Sequence, residues 1–153
     1  MELNWGAIGS IGEIIGAGAV FLTLAYLARQ IKQTNGISRF NTTKDIMASF
    51  DNLNKMVVSD PSLRQVLNKT TELTADENEQ LYTYANMYCN TWAICQTAYD
   101  NGQIDKDFYS SASQDVIFEL KRWPRFESAV ILWLDRYPNF KGYGVFSSEN
   151  YDT

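Results

Sequence analysis

The sequence predicts an all-α protein in which an N-terminal transmembrane helix is followed by a small cytoplasmic helical bundle. Residues 5–28 form an apolar run with one charged side chain, Glu13. Apolar residues further along recur at intervals of three and four, which is the spacing of amphipathic helices. No segment alternates apolar and polar residues in the way that indicates a strand. We therefore divide the chain into a transmembrane anchor, a helical cytoplasmic domain and an irregular C-terminal tail, which are residues 1–34, 35–138 and 139–153.

The apolar run is long enough to cross a membrane. A helix of about 20 residues spans the roughly 30 Å hydrocarbon core of a bilayer, and the run is longer than that. Trp5 and Tyr26 lie near its two ends, where amphipathic rings prefer the headgroup level. Arg29 and Lys32 follow it, whereas a cleaved signal peptide carries its positive charge before the apolar run. These four residues therefore predict an uncleaved membrane anchor.

The charges around the run predict its orientation. Basic residues are concentrated after it, at Arg29, Lys32, Arg39 and Lys44, and Glu2 precedes it. Lysine and arginine close to a span stay in the cytoplasm. We therefore expect a short N-terminus outside the plasma membrane and a cytoplasmic C-terminal domain.

One side of the predicted span carries small residues together with a carboxyl group. In lipid there is no hydrophobic driving force that brings apolar side chains together. Membrane helices therefore associate where small residues let their backbones approach. The pairs Gly12-xxx-Gly16 and Gly6-xxx-Ser10 have that spacing. An ionised Glu13 facing lipid costs on the order of 2.5 kcal/mol or more, so we expect it to face a partner or water. The predicted oligomer interface, called the small-residue face below, comprises Gly6, Gly9, Ser10, Gly12, Glu13, Gly16 and Ala17.

Two helices are expected between the span and residue 68. After a break at Asn35-Gly36, helical spacing resumes, and this helix is either separate or an inward extension of the span. Asp60-Pro61 ends it and begins a short helix through Asn68. The residues with helical spacing before Asp60 are Phe40, Thr43, Met47, Phe50, Leu53 and Val57.

Three further helices complete the predicted bundle. Thr74 and Glu77 have the spacing of a capping box, which begins a helix, and Asn101-Gly102 supplies its end. The next helices are expected from Asp105 to about Trp123 and from Phe126 to Tyr137, where nearby prolines mark their ends. The inward-facing residues of the three are Leu81, Tyr84, Ala85, Tyr88, Trp92, Cys95 and Tyr99, then Phe108, Val116, Leu120 and Trp123, then Val130, Trp133 and Leu134.

The segment from Gly6 to Gly16, Gly-Ala-Ile-Gly-Ser-Ile-Gly-Glu-Ile-Ile-Gly, with its continuation Tyr-Leu-Ala-Arg-Gln-Ile-Lys-Gln ending at Gln33, resembles the opening of an uncharacterised bacterial family of small single-span membrane proteins. The helix from Trp92 to Tyr99, the turn Asn101-Gly-Gln-Ile-Asp105 and the aromatic residues Phe108 and Trp133 are similar to the helical domain of that family. The match covers most of the chain. The resemblance implies a bacterial single-span protein with a helical cytoplasmic domain, and it brings no established activity with it. We expect the protein in the bacterial inner (plasma) membrane.

Composition argues against several functions. The net charge is −5 and the chain has no histidine, so it lacks a basic face for nucleic acid and the commonest general base and metal ligand. No phosphate-binding loop, dinucleotide fingerprint, CxxC pair or nucleophile elbow occurs. Cys89 and Cys95 are expected to be buried free thiols. We therefore predict that the protein is not an enzyme and has no catalytic residues, metal, cofactor or nucleic-acid partner.

Three function classes stay open. The first is a structural protein that self-associates or serves as an accessory subunit of a larger membrane complex, with the lipid bilayer and copies of itself as partners. The second is a homo-oligomeric ion or proton channel with a ring of Glu13 carboxylates. The third is a membrane-anchored ligand-binding sensor, in which an aromatic stripe lines a pocket, although core packing is the commoner use of such a stripe. The stripe comprises Tyr84, Tyr88, Trp92 and Tyr99.

Overall fold

The structure, a computed structural model, describes residues 5–140 and Val145, without the side chains of Trp5, Ala7, Ile8, Ser10 and Ile11. Within these residues the chain forms five α-helices and no strand, which confirms the all-α class. Of the predicted tail, Asn139, Phe140 and Val145 are described, and the rest lies outside the described residues. The helices are α1 (Trp5–Ser59), α2 (Pro61–Asn68), α3 (Ala75–Asp100), α4 (Lys106–Arg122) and α5 (Phe126–Arg136).

The expected break at Asn35-Gly36 is wrong, because α1 is helical from Trp5 to Ser59. Glycine in a helix interior costs about 1 kcal/mol relative to alanine, and asparagine costs less. Strong helical patterns on both sides offset a penalty of that size. The alternative, in which one helix continues past Asn35-Gly36, is therefore the one that the structure adopts.

The chain divides into two compact units, residues 1–39 and 40–153. The described part of the first unit is the N-terminal part of α1, and the large apolar side chains described there are exposed. Phe21 and Leu22 each retain 70% of their accessible surface. This helix is long and apolar enough to cross a membrane by length and composition, and none of its most apolar stretch is buried.

The second unit has a continuous hydrophobic core built around α3. The buried face of α3 includes Tyr84, Tyr88 and Trp92, and it packs against α2, α4 and α5. The ring of Phe126, at the start of α5, lies 5.0 Å from that of Tyr88 and 5.5 Å from that of Tyr84. The other large residues of the core include Leu63, Leu67, Val116, Leu120, Trp123, Val130, Trp133 and Leu134.

The C-terminal part of α1 contributes one face to this core. Ile46, Leu53 and Val57 are buried, and Phe50 is half-buried. Phe40 and Met47 are instead 69% and 54% exposed. Of the residues with helical spacing before Asp60, Leu53 and Val57 therefore lie in the core, and Phe40 and Met47 lie outside it.

Local signals in the sequence set the helix ends. Asp60 Oδ1 accepts hydrogen bonds from the backbone N–H groups of Ser62 (2.9 Å) and Leu63 (3.2 Å) at the start of α2. At the start of α3 the predicted capping box forms: the Thr74 hydroxyl accepts from the Glu77 N–H (3.3 Å), and Glu77 Oε2 accepts from the Thr74 N–H (2.8 Å). Gly102 ends the turn after α3 with a φ of +67°, a conformation that glycine adopts without a steric penalty.

Candidate functional site

The small-residue face is exposed as far as the structure describes it. Every member of the face except Ser10, whose side chain lies outside the described residues, is exposed. A Cβ atom added to Gly9, Gly12 or Gly16 would meet nothing within 4 Å. The backbone along this face is therefore accessible to a second helix, which is the geometry that close helix packing in lipid requires.

Glu13 lies on this face as an exposed residue, and it forms no ion pair among the described residues. The predicted anchor residues Tyr26, Arg29 and Lys32 are exposed as well, and the side chain of Trp5 is not described. The phenol oxygen of Tyr26 accepts a hydrogen bond from Gln30 Nε2 at 3.2 Å. The carboxyl group is thus surrounded by exposed apolar and small residues, without a basic partner of its own.

The aromatic stripe predicted to line a pocket lies mostly in the core. Tyr84, Tyr88 and Trp92 are buried, and Tyr99 is half-buried. Tyr99 stacks on Tyr109 with a centroid distance of 4.1 Å. Of the four predicted residues, Tyr88 also lines a cavity, which is described below. Tyr84 and Trp92 serve the packing of the helices.

A polar contact that sequence reasoning missed lies next to this stripe. Gln96 is only 8% exposed, and its Oε1 accepts a hydrogen bond from the Tyr109 hydroxyl. Its Nε2 donates to Asp100 Oδ1 at 3.1 Å. Burial raises the pKa of Tyr109, so the phenol stays a hydrogen-bond donor at neutral pH. The available signal was that Gln96 follows Trp92 by one helical turn on the apolar side of α3.

The two cysteines are free and buried, as predicted. Burial raises the pKa of the Cys89 thiol to about 12 and that of the Cys95 thiol to about 11. A nucleophilic cysteine needs an accessible thiolate. These thiols are protonated at neutral pH and sealed from solvent, so they have the properties of core residues.

A cavity of about 450 Å³ opens on the second unit between the C-terminal part of α1 and α4. We call it the acidic groove. Its apolar wall contains four aromatic rings and a thioether. The Phe50 ring meets the Tyr88 ring edge to face at a centroid distance of 5.7 Å. The apolar wall comprises Met47, Phe50, Tyr88, Phe108 and Phe118.

Three carboxylates line the same groove, namely Asp51, Asp115 and Glu119, and no lysine or arginine does. Glu119 is already engaged, because it accepts hydrogen bonds from Trp123 Nε1 at 2.7 Å and from Arg122 Nη1 at 3.1 Å. Asp51 and Asp115 are exposed and form no ion pair among the described residues. In the part of the chain that the structure describes, no group of three or more acidic or thiol side chains is arranged to hold a metal ion.

Comparisons of the chain with protein-family models, with curated proteins and with solved structures find no significant match. The resemblance in the N-terminal segment therefore stays a prediction.

Proposed function

We propose that this chain is a single-span membrane protein that acts as a self-associating or accessory subunit of a complex in the bacterial inner membrane. The observation that carries the proposal is the small-residue face of the first unit, which lies uncovered on an exposed apolar helix with Glu13 on it. In this proposal the N-terminal end of α1 lies outside, and the second unit lies in the cytoplasm. The protein has no catalytic role in this proposal.

The physical argument rests on what lipid does to such a face. Apolar side chains such as Phe21 and Leu22 are solvated by lipid tails, so they give helices little reason to associate. Glycine backbones gain van der Waals contact when another helix approaches, and Glu13 gains hydrogen-bond partners instead of hydrocarbon. When the small-residue face packs against a second copy or against another subunit, Glu13 no longer faces hydrocarbon. Packing therefore removes the least favourable contact between the helix and lipid.

Two matched glycine substitutions test this proposal. On an ideal helix, Gly16 lies about 60° from Glu13 and Gly18 about 140° from it. We expect Gly16→Ile to weaken assembly of the detergent-purified protein at least tenfold, because the added side chain forces the backbones apart. We expect Gly18→Ile, the same change on the other side, to leave assembly unchanged. Light scattering across a dilution series measures both. Equal behaviour of the two variants would contradict the proposed interface.

A channel is the second candidate, and the carboxyl group of Glu13 favours it. A closed ring of several spans would bring several such groups around one axis, where they select cations or carry protons. We expect Glu13→Gln to preserve assembly in both cases, because the amide still forms hydrogen bonds. Glu13→Gln would sharply lower the flux of cations or protons into proteoliposomes only if the protein is a channel. Wild-type protein that assembles and conducts no ions leaves the subunit proposal in place and eliminates the channel.

A further inference from the structure

We propose that the acidic groove binds an aromatic organic cation, such as an aryl quaternary ammonium compound. The proposal uses residues of the second unit alone and goes beyond the assembly role of the first unit. It rests on one juxtaposition, in which unpaired carboxylates and aromatic rings line the same cavity.

The groove has the size and composition of a small-molecule site. Its volume of about 450 Å³ lies within the range of about 300 to 1,000 Å³ that is typical of ligand pockets. Phe118 and Met47 at its edge are 61% and 54% exposed, so a bound aromatic group would cover apolar surface that water now contacts. The apolar part of the ligand is therefore expected to lie against these two side chains.

The charge of the groove selects a cation. Asp51 and Asp115 have no basic partner among the described residues, and Arg122 contacts Glu119 without lining the groove. Burial is the main cause that raises the pKa of Tyr88, and the negative charges of Glu119 and Asp115 act in the same direction. The carboxylates would repel an anionic ligand and attract a cation.

The aromatic rings add a second attraction of the same sign. A cation placed over the face of a phenylalanine or tyrosine ring is attracted by the electrons of that face. Phe50, Phe108 and Phe118 line the same cavity as Asp51 and Asp115. A quaternary ammonium group with an aryl substituent therefore matches both the rings and the carboxylates.

Two other occupants fit less well. A basic amphipathic helix would also carry positive charge that complements the groove. A cavity of this volume, however, accepts a small molecule or a few side chains rather than a helix face. The chain's own residues 141–153 contain Glu149 and Asp152 against Lys141. Their net negative charge does not complement the groove.

The experiment titrates two matched probes into the full chain in nanodiscs of zwitterionic lipid, with empty nanodiscs subtracted. The probes are (2-naphthylmethyl)trimethylammonium and 2-naphthalenesulfonate, which share a ring system and differ in charge. We expect calorimetry to show saturable binding of the cation and at least tenfold weaker binding of the anion. Absence of saturable cation binding at millimolar concentration, or equal affinity for the two probes, would overturn the proposal.

Groove variants locate the binding. We expect the double variant Asp51→Asn, Asp115→Asn to weaken cation binding at least fivefold, and Phe118→Ala to weaken it at least threefold. Asp107→Asn removes an exposed charge of α4 outside the groove, so its affinity should equal that of the wild type. Thermal melts followed by circular dichroism confirm that each variant is folded. The proposal would be overturned if the double variant bound the cation with wild-type affinity. It would also be overturned if a Leu/Lys amphipathic peptide displaced the cation and bound more than tenfold tighter than the cation does.

Discussion

Cys89 and Cys95 lie on the buried side of α3, and neither is exposed at all. A buried thiol is a small hydrophobic side chain with a weak S–H donor, and the core gains from it in the same way as from other apolar groups. The same burial disfavours the thiolate, because a charge loses hydration in the core. The two cysteines therefore connect the packing of α3 to the pH dependence of stability.

This connection predicts a loss of stability at alkaline pH. Both thiols have an ordinary pKa of 9.0, and burial raises it to about 12 for Cys89 and to about 11 for Cys95. The unfolded chain therefore releases protons above about pH 8.5 that the folded chain retains, so the free energy of unfolding falls as pH rises through that value and is unaffected below it. Urea unfolding followed by tryptophan fluorescence at pH 7, 8.5 and 9.5 measures the slope.

The matched variants for this prediction are Cys89→Ala and Cys95→Ala. Each removes one titrating group, so the slope between pH 8.5 and 9.5 should become shallower even though the small cavity lowers stability at every pH. An unchanged slope in both variants would show that the thiols do not titrate on unfolding. Burial also raises the pKa of Tyr84 and Tyr88 from an ordinary value of 10.0, which lies above that of a thiol, so these phenols add a smaller slope of the same sign in this interval.

At single residues, sequence reasoning identified apolar core positions well and polar ones badly. Leu81, Trp92 and Trp133 could be assigned to the core from helical spacing alone, and all are buried. Gln96 could not, because a glutamine is normally exposed. It is buried because Tyr109, which comes from another helix, supplies its hydrogen-bond partner, and that partner is known only once the helices are packed.

Among the elements, the segment between α2 and α3 depends on a side chain that follows α4. The guanidinium group of Arg125 donates hydrogen bonds to the carbonyl oxygens of Lys69 (3.0 Å), Thr70 (2.9 Å) and Thr71 (2.6 Å). Three backbone acceptors that no helix satisfies are thus paired by one planar group. Arginine suits this role because its donors point in fixed directions within one plane.

We expect Arg125→Lys to lower the free energy of unfolding by about 1 to 3 kcal/mol, because an ammonium group cannot satisfy all three carbonyl groups. Arg64→Lys is the control, since Arg64 is exposed on α2 and makes no described side-chain contact. Urea denaturation at pH 7 measures both variants. If Arg64→Lys lowered the free energy of unfolding as much as Arg125→Lys does, the hydrogen bonds to the three carbonyl groups would not be the cause of the loss.

Sequence signals predicted the helices of the second unit closely and the course of α1 less well. The ends of α2 and α3 follow from Asp60, Thr74 and Gly102, whose effects are local and independent of distant residues. Local signals of this kind do not determine the continuity of α1 or the side of α1 that is buried. Asn35-Gly36 weakens a helix without ending it, and the core partners of α1 lie on helices that come much later in the chain. The acidic groove could not be predicted for the same reason, because its residues come from three separate helices.

At the scale of the whole molecule, the basic residues after the apolar run predict a topology that labelling tests directly. We expect Leu3→Cys to react with an impermeant maleimide in intact cells, and Asp107→Cys to react only after permeabilisation. Cys89 and Cys95 are buried, so they add little background to either measurement. Labelling of Asp107→Cys in intact cells would place the second unit outside and reject the cytoplasmic location.

The order of the helices along the chain has a consequence for biosynthesis. The core face of α3 closes against Phe126 and Trp133 of α5, which are translated after it. At about 5 to 20 residues per second, the ribosome needs seconds to add α4 and α5. During that time the nascent chain carries the long apolar helix and an open aromatic face of α3 together, so the bundle cannot close its core before α5 is translated.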